Sequence, residues 1–276
     1  MRDPLPSRPV ALSIAGSDSG GGAGIQADLR SFAFFEVFGT TAITAITAQN
    51  PREVTAVQAI GPDIVRRQIA AVRAAFTVGA AKTGMLFDAE IIGAVAAELG
   101  PRPPFPLVVD PVMVATSGAR LLREDAVHAL VSRLFPLAAV VTPNLPEAEI
   151  LVGHAIRGVT GAMAAAAGLA QRFGTAILLK GGHLEGDRVY DILATPTQTV
   201  RLVSPRVSAP TTHGTGCSLS AAIAAGLARG SDLQPAVIAA KAYVHAALEA
   251  CVAVGPGVWA MANPATLPVD AVRLEF

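Results

Sequence analysis

The chain has 276 residues, 52% of them hydrophobic, and its 21 basic residues balance 21 acidic ones. That length and apolar content suit one large domain with a substantial core. The balanced charge excludes a surface built for nucleic acid or for a strongly acidic partner. Its apolar stretches are alanine-rich and broken by Gly, Gln or Arg before they could cross a bilayer, and residues 1–9 do not lead the reading to expect a secretory leader. Its two cysteines, Cys217 and Cys251, have neither metal-site spacing nor the density of a disulfide scaffold. A cytoplasmic protein with neither nucleic-acid nor membrane partners is expected.

Strand-like and helical runs alternate from the start. Residues 10–15 form a short β-run, followed by a glycine cluster and a helix over 25–35. Residues 40–47 alternate β-branched side chains with alanine and lead to Gln49-Asn50, and 63–76 has helical periodicity. A strand is predicted over 80–84, a helix over 89–99, and a strand over 107–109 that runs into Asp110-Pro111. Helix 126–134 precedes strand 138–142, which ends at Pro143-Asn144. An alanine-rich helix over 162–173 leads to strand 176–179 and then Lys180-Gly181-Gly182. Segments 188–194 and 199–203 pair as a hairpin, and two helices follow Cys217. Such repeated units predict an α/β fold, a mainly parallel central sheet with helices on both faces. No linker or repeat divides the chain, so residues 1–276 are expected to form a single domain. Ligands of these sheets sit beyond the carboxyl ends of the strands, where Asp18, Gln49, Asp110, Asn144 and Lys180 all fall.

Gly214-Thr215-Gly216-Cys217 is the most informative segment. It opens a long apolar helix over 218–229, where unpaired N–H groups and the positive end of the dipole favour an anion. Two glycines let the backbone curl round phosphate. A thiol there is expected to have a lowered pKa and to act as base or thiolate. The alternative is a tight turn with a small buried residue. The cluster from Gly16 to Gly24 spells a dinucleotide fingerprint in Gly22-x-Gly24-x-x-Ala27, but Gln49-Asn50 stand where the acidic ribose-binding residue should be, and no P-loop Gly-Lys-Ser/Thr follows. It reads as a backbone wall beside a small ligand or as a structural turn.

Gln49 offers one donor group and one acceptor, the complement of an aminopyrimidine edge, or is a polar residue in a solvated loop. Asp28 lies in the first turns of a helix, where the dipole alone accounts for it. Asp110, Asn144 and Glu147 present oxygens suited to Mg²⁺ held largely through water, although Pro146 and Glu147 are also ordinary helix starters. Lys82, Lys180 and Lys241 are the only lysines, and Lys180, before two glycines, suits a point charge on a transferring phosphate. His183 and His213 are structural or support the neighbouring loops. Met85 packs in the core or covers a flat ring, and Cys251 belongs to an apolar helix.

The segments IAGSDSGGGAGIQADL (14–29), TAITAQN (44–50), KTGML (82–86), DPVM (110–113), TPNLPEAE (142–149), KGGH (180–183) and HGTGC (213–217) occur in that order over nearly the whole chain. Together they resemble the hydroxymethylpyrimidine/phosphomethylpyrimidine kinases of thiamine biosynthesis, a ribokinase-like family. The wider superfamily usually carries GTGD with aspartate as base. Cysteine at that place is similar to the pyrimidine-kinase branch and to some pyridoxal kinases. Ser19-Gly20 stand where members often have Pro-Ser.

The resemblance implies a homodimer that uses ATP to phosphorylate 4-amino-5-hydroxymethyl-2-methylpyrimidine and then its monophosphate. It implies that Gln49 and the backbone around Gly16 hold the pyrimidine, with Asp28, Met85 and Val112 nearby. Asp110, Asn144, Glu147 and Lys180 would handle Mg²⁺ and the ATP phosphates. Gly214, Thr215, Gly216 and Cys217 would form the anion hole, with Cys217 taking the hydroxyl proton. A pyridoxal kinase is the near rival, disfavoured by Gln49 and Cys217. A ligand sensor on the same fold would be expected to have lost Lys180, Glu147 or the anion hole, and a dinucleotide oxidoreductase lacks its acidic residue.

Overall fold

The computed structural model describes residues 7–113 and 124–275. β1 (Val10–Asp18) sends Leu12 and Ile14 into one apolar cluster and Ala11 into another, as the two-residue period of a strand requires. After a glycine turn come α1 (Gly24–Phe34) and an antiparallel pair, β2 (Phe38–Gln49) and β3 (Val54–Ala59). The alternation continues through α2 (Pro62–Ala75), β4 (Val78–Thr83), α3 (Ala89–Leu99), β5 (Leu107–Val109) and α4 (Glu124–Ala129). Next are β6 (Val140–Val141), α5 (Leu145–Val152), α6 (Gly158–Phe173) and β7 (Ala176–Leu179). β8 (Arg188–Ala194) and β9 (Thr199–Pro205) pair antiparallel before α7 (Thr215–Ala228) and α8 (Leu233–Glu249). A small hairpin of β10 (Val252–Gly255) and β11 (Val258–Ala260) precedes β12 (Arg273–Glu275).

Ten strands form one sheet in the order β12-β9-β8-β7-β6-β5-β4-β1-β2-β3. From β7 to β2 the neighbours run parallel, whereas β8, β9, β12 and β3 join antiparallel. Parallel strands are buried on both faces, which is why β5 is apolar at every position and wholly buried. Helices α2 to α6 pack on the face built from Leu12, Leu107, Val109 and Ile177, and α1, α7 and α8 on the face built from Ala11, Val108 and Leu178. α7 lies between sheet and α8, so Ser218 to Gly226 are all buried and no amphipathic stripe survives in its sequence.

The expected mainly parallel α/β sheet is found, with differences at its margins. β3 was not anticipated, because most of its residues are exposed and no apolar alternation marks it. The strand expected over 138–142 contracts to two residues, and the helix expected over 126–134 ends in a π-helical turn, Leu130–Leu134. β1 and β2 run on to Asp18 and Gln49, so strand pairing itself delivers both polar side chains to the sheet's carboxyl edge. The chain leaves β1 toward β2 on one side while β4 lies on the other. That reversal of strand order is where open α/β sheets hold ligands.

Candidate active site

A cleft of about 600 Å³ opens over this edge. Every site residue expected from sequence lines it except Asp28: Gly16, Gln49, Met85 and Val112 toward one end, and Asp110, Asn144, Glu147, Lys180 and Gly214 to Cys217 toward the other.

At the first end the glycine turn is tied down by side chains. Asp18 accepts the N–H groups of Gly20 and Ala23, both at 2.8 Å, and Ser19 Oγ donates to the Gln49 carbonyl at 2.8 Å. Thr47 donates to Gln49 Oε1 at 3.2 Å, which orients the amide. Thr44 donates to the Met85 carbonyl at 2.6 Å, and Met85 Cε lies 2.5 Å from where a Cβ on Gly16 would stand. These contacts press the Met85 thioether against the Gly16 backbone, and both line the cleft.

Asp28 corrects the sequence reading. Its carboxylate is fully buried, accepts from Ser13 Oγ at 2.5 Å and holds Lys82 Nζ at 3.0 Å. It supports Lys82 from behind instead of facing a ring. Burial opposes the charge of Lys82, yet Asp28, Cys217 and Asp110 hold its pKa above the ordinary value.

At the other end α7 begins. Gly214 sits at φ 86°, and a Cβ there would stand 2.0 Å from the Gly22 carbonyl, so only glycine lets the two loops meet. His213 bridges the same loops, with Nε2 3.1 Å from Asp18 Oδ2. Burial pushes the Asp18 carboxyl up, but His213 and the Ala23 and Gly20 N–H groups outweigh it and leave the pKa lowered.

Lys180 donates to Asp110 Oδ1 at 2.8 Å, and Thr142 and Ser220 donate to the same carboxylate at 3.2 Å each. Burial raises the Asp110 pKa, but Lys180 and Lys82 prevail and hold it low. Lys180 is the mirror case: burial lowers its pKa, while Asp110 and Glu147 more than restore it. Glu147 and Asn144 cap α5 reciprocally, each side chain accepting the other's N–H at 2.9 and 2.8 Å. Burial pushes the Glu147 carboxyl up to about 7, with the Asp110 charge adding to the shift against Lys180.

Cys217 is the second correction. The helix start does not acidify it, because burial pushes the thiol up to about 11, against Lys82 and with Asp28 and Asp110 adding to the rise. The resting group is a neutral thiol. His183 lies on the exposed rim, where burial and then Lys180 and Arg206 lower its pKa.

Sequence reasoning missed Thr142, Ser220 and Asp191. Asp191 interrupts an apolar strand and Ser220 an apolar helix, and a polar residue inside such a run was the signal available.

A doubly wound sheet whose cleft gathers a helix start, a lysine and two carboxylates is the frame of a small-molecule kinase. The phosphomethylpyrimidine kinase family model matches residues 18–262, and the chain belongs to that family. It is 54% identical over 245 residues to the hydroxymethylpyrimidine/phosphomethylpyrimidine kinase of Rhizobium meliloti (strain 1021), covering 87% of this chain and 91% of that protein. A pyridoxal kinase from Staphylococcus aureus in complex with ADP matches with a TM-score of 0.87 and 31% identity over 98% of both chains. A phosphomethylpyrimidine kinase from Clostridium difficile 630 matches with a TM-score of 0.76 and 39% identity, over 86% of this chain and 98% of that one. Among the described residues no helix is long and apolar enough to cross a membrane.

Proposed function

We propose that this chain is a cytoplasmic kinase of thiamine biosynthesis. It transfers phosphate from ATP to hydroxymethylpyrimidine and then to the resulting monophosphate, with residues 1–276 acting as one catalytic domain. The observation that carries the reading is the convergence of charge at the α7 start. Lys180 Nζ lies 3.3 Å, and Asp110 Oδ2 3.7 Å, from where a Cβ on Gly216 would stand. Backbone N–H groups and one ammonium therefore face the same gap.

In this reading the acceptor ring lies against Met85 with its amino edge on Gln49, and its hydroxymethyl group points at Cys217. Val189, Val207, Val244 and Leu248 give the far end of the cleft an apolar wall suited to adenine. Phosphoryl transfer is loose, with charge spread over the moving group's oxygens. The N–H groups of Gly214 to Cys217 and Lys180 stabilise that charge without reorganising. Early removal of the hydroxyl proton is not required: the neutral Cys217 thiol serves as a contact for the acceptor oxygen, and as the O–P bond forms the proton passes to an oxygen of the transferred phosphate and then to solvent.

Asp110 and Glu147 would hold Mg²⁺. Both carboxylates line the cleft with Lys180, and Mg²⁺ takes one or two carboxylates and completes its shell with water and phosphate. Burial raises the Glu147 pKa even with Lys180 nearby, and a bound cation would bring it down. When bound, the ion neutralises phosphate charge.

A homodimer is supported by the sheet edge. β3 ends the sheet, an edge that a second copy would pair with or cover, and its Val54 and Val57, 37% and 39% exposed, also line the cleft. The structural likeness to pyridoxal kinases favours a second reading, in which pyridoxal is also accepted. A coupled ATP-consumption assay with hydroxymethylpyrimidine, its monophosphate and pyridoxal tests both.

A further inference from the structure

Every lysine in the chain ends in an ion pair: Lys82 with Asp28, buried; Lys180 with Asp110, partly open to the cleft; and Lys241 with Asp191, buried. The first two belong to the site already described. The third joins α8 to β8 on the cleft's inner wall, with Lys241 4% and Asp191 7% exposed.

Both oxygens of Asp191 are committed. Oδ2 accepts from Lys241 Nζ at 2.7 Å, and Oδ1 accepts the Gly181 N–H at 2.7 Å. Gly181 directly follows Lys180. Its backbone is pressed so closely on β8 that a Cβ would stand 1.9 Å from the Tyr190 carbonyl. On its other side, the Lys180 N–H is fixed to the Pro143 carbonyl at 2.8 Å. The chain entering Lys180 is thus anchored at the end of β6 and the chain leaving it on Asp191. A buried carboxylate needs a counter-charge, and Lys241 supplies it while also holding one oxygen, so the other points at Gly181. Stability alone does not demand such a pair, since apolar residues of similar volume often replace one at no loss.

We propose that Asp191 and Lys241 are positioning residues: as a couple they clamp the Gly181 N–H and thereby fix the direction in which Lys180 presents its ammonium to the transferring phosphate. This rests on the reading of Lys180 given above. Asp191→Leu/Lys241→Met removes both charges together. It is expected to melt near the wild-type temperature and keep its KM for hydroxymethylpyrimidine, while kcat/KM for ATP falls about tenfold from misplacement of one group. In a Lys180→Met background the same pair of changes should alter kcat/KM for ATP less than about twofold, because no ammonium is left to aim. Should the apolar pair be insoluble, Asp191→Ala/Lys241→Gln, which also removes both charges and leaves no acceptor for the Gly181 N–H, reads the same ATP-only shift. Wild-type ATP kinetics in the paired variant, or an effect that multiplies in full with Lys180→Met, would overturn the clamp and leave the role of Lys180 standing. Unchanged ATP kinetics in Lys180→Met itself would overturn both.

Discussion

Cys217→Ser should remain an active kinase. The thiol, pushed up to about 11, is ionised in only about 3 molecules in 10,000 at pH 7.5, and holding it as thiolate there costs about 5 kcal/mol. Serine keeps the backbone N–H, the helix start and a small polar group facing the acceptor. If the α7 N–H groups and Lys180 carry the stabilisation, kcat should fall no more than about tenfold. Removal of an obligatory general base costs about 10²–10⁴-fold. Two assays separate the cases: steady-state turnover of the variant, and alkylation of wild-type Cys217 by iodoacetamide followed by mass spectrometry. The second should proceed at least about 100-fold more slowly at pH 7.5 than for an unperturbed cysteine. A folded Cys217→Ser enzyme with unchanged ATP affinity but more than a hundredfold loss of turnover, or alkylation faster than that of a free thiol, would refute the reasoning.

Other consequences follow from the same geometry. Lys180→Met should lower kcat/KM for ATP by about 10²–10³, the scale of losing one preorganised charge stabiliser, and steady-state kinetics with varied ATP would contradict it if the loss fell on the pyrimidine KM alone. Gln49→Leu leaves the ring's amino edge unpaired in a partly buried slot and should cost about 1–3 kcal/mol of pyrimidine recognition, read as a raised KM for hydroxymethylpyrimidine with ATP binding intact. Glu147 gives a pH signature. The unfolded carboxyl ionises near 4.5 and the folded one near 7, so between those values the unfolded state has already lost the proton that the folded state keeps. The contribution of Glu147 to stability without Mg²⁺ should therefore be greatest below 4.5 and decline by up to about 3 kcal/mol as pH rises to 7, against the opposite trend of Asp18 and Asp110, whose lowered pKa values favour folding above the ordinary carboxylate range. Denaturant titrations across that window should show the decline, and Glu147→Gln should flatten it.

Much of this was legible in the sequence because strand ends and helix starts carry local marks. Lys180-Gly181-Gly182 and Asp110-Pro111 end apolar strands and Gly214 to Cys217 open an apolar helix, and Lys180, Gly182, Asp110 and Gly214 to Cys217 line the cleft. What local pattern could not give was partnership across the fold. Asp28 sits in a helix start that suits any carboxylate, and only the packing of α1 on β1, with β4 paired alongside, brings Lys82 to it. The acidity of Cys217 was misjudged for a related reason: the helix dipole is visible in sequence, whereas the burial and the two nearby carboxylates that oppose it are not. β3 escaped because an exposed edge strand has no buried face to impose alternation. Lys241 stood out as a rare lysine, but its role required seeing that Asp191 faces both it and Gly181.

The most direct test of the central claim is a coupled ATP-consumption assay with Mg²⁺, comparing hydroxymethylpyrimidine, its monophosphate and pyridoxal at equal concentrations. Turnover of both pyrimidines, with pyridoxal weak, is the predicted result. Turnover of pyridoxal alone, or of none of the three by folded protein, would contradict it.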